Sequence, residues 1–229
     1  MLEILPSINR STWQEVESDI KKIENHSDWV ELDVCDGTLS KTKTWTNPED
    51  LKKLELSHPL RFAVHLMVKN PEKYVRTWID AKVRRIIIQF EGVKSGFFGS
   101  QRKKIIKSLS ELCRENWVEF GISVSPKTGV EKIGPFLDLI DLVQVLAVPI
   151  GLSNQGLDRS QLFKMSALSD LKQDKNFKTE WDGGVELETV DQIKKSGADI
   201  IVSTSFVFGA ADPGRALEVL KKTAIGIGV

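Results

Sequence analysis

The sequence predicts a (β/α)8 TIM barrel forming one domain over residues 1–229. Eight short apolar, β-branched runs alternate with longer amphipathic stretches along the chain, and no segment is left over. The 229 residues lie near the ~250 typical of eight closed βα units. The rival architecture, an open doubly wound sheet, would follow its first strand with G-x-G-x-x-G, and no such run occurs here. No Pro/Gly/Ser linker or low-complexity tract marks a domain boundary.

Taken in order, the first strand is expected at 2–6. Its helix opens at Ser11 or Thr12, where Glu15 completes a capping box with Thr12 and Val16, Ile20 and Ile23 recur at helical spacing. The second strand, 29–33, passes through a loop at 41–45 to a helix start at Asn47-Pro48. The third, 61–67, leads to another start at Asn70-Pro71. In both, a cap-type residue precedes a proline suited to the first helical position. Strands follow at 85–90, 118–124 and 139–146, the last opening into a long turn-rich loop at 149–156. The seventh, 177–182, ends in Asp182-Gly183-Gly184. The eighth, 199–203, ends in Ser203-Thr204-Ser205, before a final helix start at Asp212-Pro213.

Composition narrows the function. The 32 basic and 32 acidic residues cancel, so no overall field draws the chain to nucleic acid or to a membrane surface. No apolar run approaches the ~20 residues of a membrane span, and the first six residues lack the basic flank and apolar core of a signal peptide. A cytoplasmic location is therefore expected. Cys35 and Cys113 lie outside any C-x-x-C spacing and read as two reduced thiols.

Function in such barrels gathers where the strands end at the carboxyl face. Glu31 and Asp33 on the second strand are two apart and project to the same side, with Leu32 turned away between them. His65 sits between Val64 and Leu66 in the same alternation, and Asp182 follows Trp181 on the seventh strand. Three carboxylates and one imidazole would then converge at the mouth. Carboxylates so close raise one another's pKa unless a cation joins them, and a mixed oxygen and nitrogen donor set suits a divalent metal. Singly, Asp33 reads as part of a turn with Asp36-Gly37, and His65 as a core histidine. Their coincidence on matching strand ends is what points to a site. The Gly183-Gly184 pair and the Ser203-Thr204-Ser205 run follow strands seven and eight, where barrel enzymes often bind phosphate. A glycine pair is also what a tight turn needs. The loops at 41–45 and 149–156 read either as ordinary connections or as covers over a ligand.

Five segments stand in the order of motifs found in ribulose-phosphate 3-epimerases: Leu5-Pro6-Ser7-Ile8, Leu32-Asp33-Val34-Cys35-Asp36-Gly37, Val64-His65-Leu66-Met67-Val68 with Asn70-Pro71-Glu72, Asp182-Gly183-Gly184-Val185 and Ser196-Gly197-Ala198-Asp199. The sequence resembles that family over nearly its whole length. The resemblance implies a barrel of the ribulose-phosphate-binding type, a sugar-phosphate substrate, a homo-oligomer, and metal-assisted inversion of the carbon next to the ketone of D-ribulose 5-phosphate to give D-xylulose 5-phosphate. It implies that Asp33 and Asp182 are the acid/base pair, and that Asp33, His65 and Asp182 are three of four metal ligands. Ser7 then matches a substrate contact, and Gly183, Gly184 and Ser205 parts of the phosphate site, together with Gly151 of the preceding loop. Two carboxylates from opposite walls suit inversion, which takes a proton from one face of the carbon and delivers one to the other.

The departures from the family are specific. Glu31 holds the place of a ligand histidine, adding one negative charge and a harder donor, which favours manganese, magnesium or iron over zinc, or leaves no metal bound. Thr204 stands where a phosphate-binding glycine is expected. Gln89 replaces a histidine two residues before the glutamate matched by Glu91, and Cys35 and Leu146 replace methionines. The loop at 150–155 loses two glycines, although Asn154 tolerates a left-handed backbone. These changes keep open an epimerase for another ketose phosphate, or a sugar-phosphate-binding barrel without the chemistry. A decarboxylase or aldol-type synthase on this barrel would carry Asp-x-Lys-x-x-Asp, whereas the third strand reads Ala63-Val64-His65-Leu66-Met67-Val68.

Overall fold

Eight parallel strands close into a barrel in sequence order, in a computed structural model that describes residues 2–172 and 175–226. The remaining positions of the expected 1–229 domain lie outside the described residues. The strands are β1 (Glu3–Ile8), β2 (Trp29–Val34), β3 (Arg61–Leu66), β4 (Arg85–Gln89), β5 (Glu119–Val124), β6 (Leu142–Leu146), β7 (Lys178–Asp182) and β8 (Ile200–Ser203). The helices are α1 (Trp13–Ile23), α2 (Val75–Asp80), α3 (Ser100–Glu115), α4 (Ser160–Leu171), α5 (Leu187–Lys195), α6 (Ser205–Phe208) and α7 (Pro213–Ala224). β1 runs two residues past the expected stop at Pro6. Proline forfeits only its own N–H, and the strand continues because Ser7 and Ile8 pair with Glu31 and Leu32 of β2.

The start signals are located correctly but differ in what they start. Thr12 caps α1 through the expected capping box, and Val16, Ile20 and Ile23 are buried. Asp212 accepts from the Arg215 N–H at 3.0 Å and opens α7. After β2, by contrast, Pro48–Lys53 forms a 3-10 segment. Asn70 takes a left-handed conformation with φ 57 and makes no cap bond, so Pro71 begins only a 3-10 turn before α2. The connection after β5 is likewise two 3-10 segments, Val130–Lys132 and Gly134–Leu139, where Pro135 has no N–H for an α-helical bond. Among the described residues no helix is long and apolar enough to cross a membrane.

Strand alternation builds two different interiors. Outward-facing Val30, Leu32, Val64, Leu66, Ile86, Ile88 and Trp181 belong to one outer core with helix residues such as Ile20, Trp78, Ile106 and Leu168. Inside the barrel a smaller apolar group of Leu5, Trp29, Ala63, Ile87, Leu142, Ile200 and Val202 shares the space with polar side chains. Arg85 is fully buried there. Its Nε donates to Glu119 Oε2 at 2.7 Å, its Nη1 lies 3.5 Å from Glu180 Oε2, and the guanidinium stacks 4.4 Å above the Trp29 ring. Arg85→Met is expected to destabilise the fold by about 3–5 kcal/mol, because it strands Glu180 in the barrel without its cation; chemical denaturation measures this.

Cys35 and Cys113 are both fully buried, and burial pushes each thiol up to about 12. Neither is expected to react with a thiol reagent at mildly alkaline pH until denaturant is added. Rapid titration of either in the native protein would contradict the packing.

Candidate metal and active site

The register of β2 and β3 sets Asp33 beside His65, one step above the pair Leu32 and Val64 that faces the outer core. Glu31, Asp33 and His65 therefore all face the barrel interior. Asp182 arrives from β7, three strands away round the closed barrel, with Trp181 again turned outward. The structure thus brings these four side chains together: one ligand-type atom from each lies within 4.8 Å of the others. His65 Nδ1 is 3.9 Å from Asp33 Oδ1 and 4.0 Å from Asp182 Oδ2.

Of these four residues, Glu31 Oε2, Asp33 Oδ1 and His65 Nδ1 are buried with no hydrogen-bond partner among the described residues. Orphaned buried polar atoms are costly, and lone pairs aimed at one another are costlier still. A divalent cation would satisfy all of them, so the residues present fit a metal of the oxygen-preferring kind.

The electrostatics carry the same tension. Burial raises Asp33 to about 6, opposed by the Asn9 amide, 3.3 Å from Oδ2, and by the Ser7 hydroxyl. Burial, then the charges of Asp33 and Glu180, hold Asp182 well above the ordinary carboxylate range. Glu31 is raised in the same way by burial and by Glu180, Asp33 and Asp182, with Arg85 opposing. Burial lowers His65 to about 4. The metal-free cluster therefore resists ionisation.

Above the cluster opens a pocket between the ends of β1 and β2 and the loops after β6, β7 and β8. Gly151, Gly183, Gly184, Thr204 and Ser205 all line it, as do Asp33 and Asp182. Ser7 does not line it: fully buried, it lies level with Glu31, below the mouth. Gly184 has φ +64, and a Cβ there would stand 2.6 Å from the Leu157 backbone, so the loop after β6 can close against β7 only over a glycine. Gly151 abuts Ser40 and Thr42, so the two loops expected as connections or covers meet at the rim. Asn154 is left-handed, with φ 57. α6 is a single turn, too short for a useful dipole, and Thr204 and Ser205 stand at its start.

Sequence reasoning missed the polar chain beneath the cluster. Gln144 Nε2 donates to Glu31 Oε1 at 3.2 Å and to Glu180 Oε1 at 2.9 Å, and Arg85 closes the chain from below. Burial raises Glu180 to about 7, with Arg85 and Gln144 opposing. The available signal was parity: Glu180 precedes Asp182 by two residues, as Glu31 precedes Asp33.

The ribulose-phosphate 3 epimerase family model matches residues 3–208. The chain belongs to the ribulose-phosphate 3-epimerase family. Among curated members it is 28% identical over 227 residues to the Schizosaccharomyces pombe ribulose-phosphate 3-epimerase, covering 97% of this chain and 94% of that protein. It is 30% identical over 208 residues to the Treponema pallidum ribulose-phosphate 3-epimerase, covering 90% of each. At these identities it is a divergent epimerase-family member. Solved structures share the barrel more widely. A 3-keto-L-gulonate-6-phosphate decarboxylase from Vibrio cholerae superposes with a TM-score of 0.75 at 12% identity, covering 100% of this chain and 99% of that one. A 3-hexulose-6-phosphate synthase from Salmonella typhimurium gives 0.70 at 14%, covering 99% and 100%. At such identities the likeness is one of fold.

Proposed function

We propose that this chain interconverts D-ribulose 5-phosphate and D-xylulose 5-phosphate by proton transfer at the carbon beside the ketone, with Asp33 and Asp182 as the acid/base pair. The observation that carries the reading is the meeting of these two carboxyls, from strands three apart, on one pocket at the barrel mouth. Inversion needs one of them to accept the proton and the other to deliver one from the opposite side. Asn9 orients Asp33 through its amide.

Glu31, Asp33, His65 and Asp182 would hold a divalent ion, manganese, magnesium or iron in preference to zinc, which would stabilise the negative oxygen that develops as the C–H bond breaks. Gly151, Gly183, Gly184, Thr204 and Ser205 would receive the phosphate, and Ser7 supports the floor of the site. The reading includes a cytoplasmic homo-oligomer; the Oryza sativa relative, 27% identical over 228 residues, is a cytoplasmic isoform.

The test is metal analysis of the purified protein, followed by ribulose 5-phosphate turnover with and without chelator. Turnover that chelator removes and manganese restores is the expected result. No turnover with any divalent metal, alongside retained sugar-phosphate binding, would leave a binding barrel in place of an enzyme.

A further inference from the structure

His65 is held from behind. Its Nε2 lies 2.9 Å from Gln89 Oε1, and Gln89 Nε2 lies 2.5 Å from Glu91 Oε2. The other oxygen of Glu91 is fully engaged, accepting from the Ser125 backbone N–H at 3.0 Å, from Ser125 Oγ at 2.6 Å and from the Thr128 hydroxyl. Burial works against ionisation of Glu91, but the bonds from Ser125, Thr128 and Gln89 outweigh it and keep its pKa below the ordinary value. An ionised carboxylate only accepts, so Gln89 turns its NH2 to Glu91 and its carbonyl oxygen to His65. A carbonyl oxygen also only accepts, so the ring nitrogen facing it must carry the hydrogen.

We propose that Glu91 and Gln89 are positioning residues that fix His65 as its Nε2–H tautomer and leave Nδ1 as a bare lone pair directed at the barrel mouth. The order of donors has one solution because Glu91 takes three donors on one oxygen and, as a carboxylate, can only accept from Gln89 on the other. The far side of the ring agrees: Nδ1 is buried, has no hydrogen-bond partner among the described residues, and looks toward Asp33 and Asp182. The use of that lone pair rests on the reading of His65 as a metal ligand; the tautomer itself does not. Outer hydrogen bonds of this kind set ring orientation and ligand basicity in metal sites.

The decisive variant is Glu91→Gln, isosteric and outside the donor set. Ser125 N–H still requires an oxygen, so the new amide turns its NH2 toward Gln89. Gln89 then flips and offers its own NH2 to His65, and the ring proton moves to Nδ1. Side-chain 15N spectra of the metal-free protein at alkaline pH read this directly, with the His65 signals identified by their absence from His65→Asn. The wild type is expected to show Nδ1 unprotonated and Nε2 protonated, Glu91→Gln the reverse, and Gln89→Met a mixture. A wild-type ring protonated on Nδ1 overturns the proposal without any variant, as does a Glu91→Gln ring that keeps the wild-type pattern. Manganese affinity, measured by chelator competition, is expected to fall about 10–100-fold in Glu91→Gln and Gln89→Met. A wild type that shows the Nδ1 lone pair yet binds no metal upholds the tautomer and removes the metal reading, so the two fail separately.

Discussion

Asp182→Asn is expected to lower kcat/KM for epimerisation by about 10²–10⁴, and to remove solvent-hydrogen exchange at the reacting carbon along with it. The amide keeps the shape of the carboxyl but can neither take up nor surrender a proton in the range where Asp182 titrates. It also offers a weaker ligand atom at a point where one atom from each of four side chains gathers within 4.8 Å. Affinity for an unreactive sugar phosphate is expected to change little, since the residues proposed to receive the phosphate, Gly151, Gly184, Thr204 and Ser205, are unchanged and line the same pocket. The folded state is not expected to suffer, because the substitution removes one of several charges that burial and mutual repulsion already disfavour. Mass-spectrometric deuterium incorporation during turnover in D2O is the measurement. Undiminished incorporation in the variant would take Asp182 out of its proposed role.

That experiment turns on residues whose facing was readable before any coordinates. Alternation along 29–33 and 61–67 separates Glu31, Asp33 and His65 from Leu32, Val64 and Leu66, because a strand has period two and a carboxylate cannot be left among the helices without a partner. The closed barrel followed from eight repeats with no remainder. Other features were not legible, for physical reasons. Whether Asn70-Pro71 starts an α-helix or a 3-10 turn depends on the Asn70 backbone turning left-handed, which neither residue dictates. Which inward residues touch across the barrel depends on strand stagger: Gln144 reaches Glu31 over a separation of 113 residues, a contact that no local pattern encodes. Gln89 appeared in the sequence as a substitution with no stated role. Its role comes from Glu91, in the 3-10 turn that follows β4, which is itself held by Ser125 just past β5.

The same crowding of carboxyls gives the protein a pH dependence that metal should reverse. In the metal-free protein Glu180 titrates at about 7 where the unfolded chain titrates at 4.5, and Glu31 and Asp182 are also raised well above their ordinary values. The folded state therefore keeps protons that the unfolded state has given up. The stabilisation is complete below the unfolded pKa and is lost as pH rises through the folded one. His65 acts in the opposite sense, since burial lowers it from 6.5 to about 4 and the folded protein gains stability as pH rises between those values. Asp33, raised from 3.8 to about 6, offsets that gain over nearly the same interval. A net decline is therefore expected from about pH 4.5 upward, where each carboxyl still holding its proton costs roughly 1.4 kcal/mol per pH unit. At ~2–4 °C per kcal/mol for a chain of this size, melting in chelator should fall by several degrees between mildly acidic and mildly alkaline buffer. A divalent metal favours the ionised forms of its ligands, so the rise in melting temperature that it produces should grow with pH and oppose the decline. A metal-free melting temperature that is flat or rising across that window would show that the buried carboxyls are not held protonated by their surroundings.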